Sequence, residues 1–276
     1  MPDQLDRKVE AWLQKQGYPL EMESAFIAKS CGFEVSQSDY YFDPDENQPR
    51  EIDLVLSAQK FVGNFNLDYK LFVECKSTRE KPWLLFATEN DLIEHEGEKK
   101  SIKSLGTYGA FLANELGGNL LLQSFYNGNR EHLFPRLDTR PALGYGVTQA
   151  FSEGNETPFR ALMSATKAAL WYAKKFGGVG MLSTPFVFAT PVVVIDAPLF
   201  NVMFSEKTSE IELEEVSSGW LYWKHVVDGR SRIGVYIVKK AELQHFLSEC
   251  YASASWWVNQ DVETLQSIYD KKYPPK

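Results

Sequence analysis

Two carboxylates and an amine between residues 53 and 76 have the types and spacing that can hold a hard divalent cation beside a positive charge. Asp53 lies in Arg50-Glu51-Ile52-Asp53-Leu54-Val55-Leu56, and Glu74 and Lys76 lie in Leu71-Phe72-Val73-Glu74-Cys75-Lys76. Both runs read as strands with a buried face. Period two puts Leu71, Val73 and Cys75 on one face of the second run and Phe72, Glu74 and Lys76 on the other. In the first run it groups Ile52, Leu54 and Leu56, with Glu51, Asp53 and Val55 opposite. If the two strands are antiparallel neighbours, Asp53 and Glu74 converge on one cation. Mg2+ takes oxygen ligands, commonly one or two carboxylates with waters and a substrate phosphate. Asp53, Glu74 and the backbone carbonyl of Cys75 would be the protein's share, with Mn2+ able to substitute. Such a cation acidifies a water and offsets charge gathering on phosphorus. Lys76, on the same face as Glu74, would orient that water or steady the hydroxide.

These residues need a frame. Pro19 starts a helix that runs to Cys31 and stops at Gly32. Residues 33–42 read as a strand, 43–49 as a loop, and 50–57 and 69–77 as two more strands of an antiparallel meander. Thr157-Pro158 starts a later helix in which Phe159, Leu162, Met163, Ala169, Leu170, Ala173 and Phe176 keep helical spacing up to Gly177-Gly178. Residues 186–197 form a buried strand around Val192-Val193-Val194-Ile195. Residues 78–157 read as an insertion that packs on the core and shapes a substrate groove. It holds a helix from about 103 to 116, ended by Gly117-Gly118, and then a section rich in Gly, Pro and Asn. Strands at 209–216, 219–227 and 232–239 and helices near 240–250 and 261–270 complete the chain. At its start, Asp3 caps a helix with Leu5, Val9, Trp12 and Leu13 on one face.

Asp53 followed by Glu74-Cys75-Lys76 resembles the signature of the PD-(D/E)XK phosphodiesterase superfamily, which includes many restriction endonucleases and archaeal-type Holliday junction resolvases. The resemblance implies an α/β fold with a mixed sheet and a restriction-endonuclease-like αβββαβ core. In this chain the core would be helix 19–31, strands 33–42, 50–57 and 69–77, helix 158–176 and strand 186–197. The insertion at about 78–157 and a C-terminal β/α extension at about 198–276 would belong to the same single nuclease-like domain. The likeness is specific from Glu21 to Lys76, topological to about 197, and absent beyond. It implies a Mg2+-dependent deoxyribonuclease, an endonuclease, whose partner is DNA and which works as a homodimer or with a partner protein in bacterial defence or repair. In resolvase-like members the first helix also gives a Glu, eleven residues before the Gly of the Gly-Phe that opens the first strand. Gly32-Phe33 places it at Glu21, with Glu23 the competing choice. Ile52 stands where the family name has Pro, a loosely kept position. The competing expectation is a catalytically silent module of the same fold that binds nucleic acid or protein.

Plainer readings stand beside each choice. Glu74 and Lys76 could be a charged pair on the solvent face of an edge strand, worth little; the apolar residues flanking them argue for a central strand. Arg50 and Glu51 read as a surface pair or as support for the site. Glu21 and Glu23 also suit a helix N-terminus electrostatically. Lys99, Lys100 and Lys103 read as a solvated run. His95, His132, His225 and His245 form no ligand spacing. Cys75 reads as a buried core residue rather than a nucleophile, and Trp256-Trp257 as core or partner contacts.

The composition sets bounds. The chain has 276 residues, 44% of them hydrophobic, with a formal charge of -8. An acidic total argues against a surface coated with nucleic acid but permits a local basic groove. Three widely spaced cysteines, Cys31, Cys75 and Cys250, exclude a disulfide framework or zinc ribbon and suit a reducing, cytoplasmic setting. The polar N-terminus is not expected to be a signal peptide, and no apolar run reaches membrane-spanning length, so no membrane partner is expected.

Overall fold

The computed structural model describes residues 4–13, 16–78, 80–89, 112–126, 142–152, 156–175, 184–223 and 233–274. The protein is mixed α/β. Helices α1 (Gln4–Leu13) and α2 (Tyr18–Ser30) precede an antiparallel meander of β1 (Glu34–Asp43), β2 (Gln48–Val62) and β3 (Phe65–Ser77). Then come β4 (Trp83–Glu89), a two-residue β5 (Leu112–Ala113), α3 (Glu115–Tyr126), β6 (Ala142–Gln149) and α4 (Glu156–Lys175). β7 (Thr184–Asp196), β8 (Leu199–Ser205), β9 (Glu210–Glu215), β10 (Ser218–Trp223) and β11 (Ile233–Lys239) follow, and α5 (Leu243–Val258) and α6 (Val262–Lys272) end the chain. None of the described helices is long and apolar enough to cross a membrane.

All eleven strands join one sheet, in the order β1-β2-β3-β7-β11-β10-β6-β4-β8-β9, with β5 against the first half of β7. β7 runs parallel to β3 along its whole length, from Phe65↔Thr184 to Ser77↔Asp196. The chain reaches β7 through α4, which packs across β3 and β7 on one face of the sheet. On the other face lie α2, α3, α5 and α6. Two cores result. Leu54, Leu71, Val73 and Cys75 face α2 and α5, and Val55, Phe72, Val193 and Ile237 face α4. Each fully buried Leu, Val or Phe contributes about 1.5–3 kcal/mol, so a sheet covered on both faces is held by its central strands.

The expected helices and strands from 19 to 77 and from 158 to 197 correspond to α2, β1, β2, β3, α4 and β7. The expectation for 78–157 needs correction. Residues 83–89 and 142–149 are sheet strands rather than a loop-rich cap, and β8 went unread altogether. Gly117-Gly118 does not end a helix. It sits in the first turns of α3, because a Cβ on Gly117 would lie 2.5 Å from the Val187 carbonyl oxygen of β7. The absent side chain lets helix and strand approach closely. The Asp3 cap, the part of the expected helix at 103–111 and residues 224–227 of the expected strand 219–227 lie outside the described residues.

Candidate metal and phosphodiesterase site

The site forms where β2 and β3 part. The two strands pair from Val62↔Phe65 up to Leu54↔Val73, and then both continue unpaired with each other. On its other side the β1–β2 ladder is interrupted between Gln37↔Leu54 and Asp39↔Ile52, where Ser38 adopts φ +50, a strained conformation for a non-glycine residue. The alternation of β2 changes phase here. Leu54 and Leu56 face α2 and α5 as expected, but Ile52 joins Val55 and Tyr41 in the core under α4. The expected grouping of Ile52 with Leu54 is therefore wrong, because the strand turns over at Asp53.

Asp53 uses the gap. Its Oδ2 accepts the backbone N–H of Cys75 at 2.7 Å, replacing the bond a paired β2 would have given. Its Oδ1 takes no hydrogen bond among the described residues. Glu74 lies on the α4 face of β3 and is 5% exposed. Lys76 Nζ donates to Glu74 Oε2 at 2.7 Å and stands 3.8 Å from Asp53 Oδ2. Asp53 and Glu74 thus meet around one ammonium, and the sequence-predicted trio is together.

Electrostatics fit that geometry. Burial raises the Glu74 carboxyl above the usual glutamate range; Lys76 opposes the rise and the Asp53 charge adds to it. Burial pulls the Lys76 ammonium down, but the charges of Glu74 and Asp53 outweigh it, so it is held above the usual lysine range. Glu21, in the first turn of α2, is raised by burial and by the Asp53 and Glu51 charges, and lowered by Lys76. It therefore lies within electrostatic reach of the trio. Glu23 does not share that position: it pairs with Lys240 at 2.6 Å. Between the two choices, Glu21 is the one that feels the Asp53 and Lys76 charges. Arg50 pairs with Glu46, not with Glu51 as expected. Cys75 is 4% exposed and its thiol, donating to Ser24 Oγ at 3.8 Å, is pushed well up by burial, which leaves no nucleophile there.

Two contributors escaped the sequence reading. Ser164, on α4, donates its hydroxyl to Glu74 Oε1 at 2.5 Å. Tyr41 of β1, 4% exposed, lies beside the same hydroxyl, which lowers its phenol pKa against the rise that burial causes. Glu74 is thereby fixed at both oxygens. The available signal was a hydroxyl at helical spacing between Ala161 and Ala168 in the buried stripe of α4. A few residues further, Lys167 holds the end of β1 onto α4 through Asp43 and Asp45, both at 2.8 Å.

A second pair of the same spacing lies earlier on β3. Asp68, 3% exposed, and Lys70 share the α4 face with Glu74. Tyr172 of α4 donates its hydroxyl to Asp68 Oδ2. Lys70 Nζ donates to Ser57 Oγ at 2.9 Å, stands 3.8 Å from Asp68 Oδ1 and lies 4.9 Å over the Tyr172 ring.

Glu21 and Glu51 add their charges to those of Asp53 and Glu74 around the one ammonium of Lys76, a negative surplus that attracts a cation. Among the described residues no group of three or more His, Cys, Asp or Glu side chains is placed to hold a metal ion by itself. Two carboxylates completed by a carbonyl, waters and substrate is the usual provision for Mg2+, so the residues present fit that ion. His95, His132 and His225 and Lys99, Lys100 and Lys103 lie outside the described residues. His245 is exposed on α5 near Glu242 and Glu249. Trp257 is buried in the core, edge-on to Trp256.

Comparison of the chain with protein-family models, with curated proteins and with solved structures finds no match.

Proposed function

We propose that the protein is a Mg2+-dependent nuclease of restriction-endonuclease-like fold that hydrolyses phosphodiester bonds in DNA, as an endonuclease acting alone, as a homodimer or with a partner protein. The supporting observation is the meeting of Asp53 and Glu74 around Lys76 at the point where β2 leaves β3. The order helix, three-strand meander, crossover helix and parallel strand, with the trio at the open ends of the second and third strands, agrees with the αβββαβ core that the resemblance implies. A bacterial defence or repair setting rests on that resemblance alone.

Asp53, Glu74 and the Cys75 carbonyl would hold the ion, with Glu21 contributing to the ion or its water. The bound ion would supply a more acidic water and offset charge on the phosphate. The chain's own residues do the positioning. Ser164 and Lys76 fix Glu74, and the Cys75 N–H fixes Asp53. Lys76, held protonated by its two carboxylates, donates toward the attacking water or steadies the hydroxide formed as that water passes its proton to solvent. Positioning and charge placement of this kind carry most of the acceleration in phosphoryl transfer.

One observation favours a second reading. Lys76 already closes on Glu74 at 2.7 Å and neutralises the carboxylate that would bind metal, as in a silent module that binds nucleic acid or protein without cutting. Incubation of supercoiled plasmid, linear duplex and single-stranded DNA with Mg2+ or Mn2+ separates the two. Cutting by the wild type that vanishes in Lys76→Ala is the expected result. Calorimetry adds the metal arm: Mn2+ binding is lost in Asp53→Asn with Glu74→Gln, and unchanged binding there would remove the site assignment.

A further inference from the structure

The end of the sheet away from Glu74 carries a second surface. β8 and β9 pair antiparallel from Phe200↔Glu215 to Ser205↔Glu210. β9 is the last strand, with no neighbour on its outer edge among the described residues, and six strands separate it from β3. All of its residues are exposed. Pairing and alternation put Phe204, Ile211 and Leu213 on one face, at 65%, 69% and 65% exposure, and Glu210, Glu212 and Glu214 on the other. Glu215 is paired, to Lys239 at 2.6 Å.

An open edge offers unpaired N–H and C=O groups to any extended chain. The glutamates decide which chain. Two β9 edges pairing with each other would set carboxylates opposite or diagonal to carboxylates, which destabilises a sheet. A nucleic-acid backbone is repelled by the same charges. On the other face, three large apolar side chains stand mostly in water on a strand whose alternation is already set. We propose that the β9 edge receives an extended segment of a partner protein in which basic and apolar side chains alternate, added as a further strand. Its lysines or arginines meet Glu210, Glu212 and Glu214, and its apolar side chains cover Ile211 and Leu213. Backbone bonds supply affinity and the alternation supplies specificity. Docking there is six strands away from Glu74 and leaves that region uncovered.

The test titrates the full chain with a fluorescent peptide of about ten residues alternating Lys and Ile, long enough to span a strand. Two comparators accompany it: the same peptide N-methylated at alternate residues, and a peptide alternating Glu and Ile. Only the first should bind. Glu212→Lys with Glu214→Lys, and separately Ile211→Ser with Leu213→Ser, should each weaken it by about tenfold or more, with melting by circular dichroism unchanged from wild type. Equal binding of the N-methylated peptide would reduce the effect to charge and overturn strand addition. Absence of binding, or binding unaffected by either double variant, overturns the proposal. Sedimentation showing a dimer lost in Ile211→Ser with Leu213→Ser assigns the edge to a second copy and overturns the partner.

Discussion

Two carboxylate-x-lysine pairs lie on one strand, on one face, under one helix. Asp68-Tyr69-Lys70 and Glu74-Cys75-Lys76 have identical spacing, and burial raises both carboxyls. Their surroundings differ. At Asp68 the β2 strand is still in register, with Gln59↔Asp68 and Ser57↔Lys70 paired, so no second carboxylate enters. Tyr172 takes up Asp68, and Ser57 and the Tyr172 ring take up Lys70. At Glu74 the neighbouring strand has left, and Asp53 turns into the gap. A carboxylate and a lysine two residues apart do not by themselves gather a second carboxylate; separation of the adjacent strand lets Asp53 in.

The sharpest way to break the comparison is to remove each lysine. Lys76→Ala should lower DNA cleavage by about 10²–10³-fold, while Lys70→Ala, read in the same plasmid assay, should stay within about threefold of wild type. Ser164→Ala should weaken Mn2+ binding by about 10–100-fold in calorimetry, since Glu74 loses the hydroxyl that orients it. Tyr172→Phe should leave metal affinity alone but cost about 1–2 kcal/mol of stability in urea unfolding, because it removes a buried hydrogen bond to a charged group. Loss of metal binding in Tyr172→Phe would merge the two pairs into one functional unit.

The smallest effect is one of sign. The folded-state Glu74 carboxyl is raised above its unfolded value, with burial the leading cause. Its contribution to stability is therefore full below the unfolded pKa and lost as pH rises through the folded one. Ionising the buried Glu74 in the folded protein therefore carries a cost that grows as pH rises. Glu74→Gln should accordingly raise the melting temperature at neutral pH, with the gain fading as pH falls toward the glutamate range. Adding Mg2+ should raise the wild-type melting temperature and leave that of Glu74→Gln unmoved. A variant less stable than wild type at neutral pH would show that the Lys76 ion pair outweighs the burial.

Much of the region around the candidate site was legible because its signals are local. The alternation of β3, the Pro19 and Thr157-Pro158 helix starts and the stop at Gly32 each sit inside a few residues. Ser164 was not legible, since nothing in α4 states which strand residue it will meet 90 positions away. The middle of the chain misled for a different reason. Gly144 suggests a turn, yet it lies in a strand, where a Cβ would sit 2.6 Å from the Leu85 side chain; Gly219, in the expected strand 219–227, meets the same side chain at 2.4 Å. β6 and β10 use glycine to seat Leu85 of β4, so residues that usually punctuate a chain here serve packing. Gly117 misleads in the same way against Val187.

The parallel pairing of β3 with β7 also sets when the site can exist during folding. Phe65 lies opposite Thr184, 119 positions along the chain (184 - 65), and that offset holds through Ser77↔Asp196. Contacts so distant in sequence form slowly, because loop closure precedes any reward. The β1–β2–β3 meander needs no such closure, so Asp53 can find the Cys75 N–H while α4 and β7 are still unplaced. Glu74 would then be solvated and unrestrained until the helix bearing Ser164 arrives. The nascent chain would carry Glu21, Asp53 and Glu74 before it carries the wall that holds Glu74, and the proposed site would be complete only once the helix bearing Ser164 has docked.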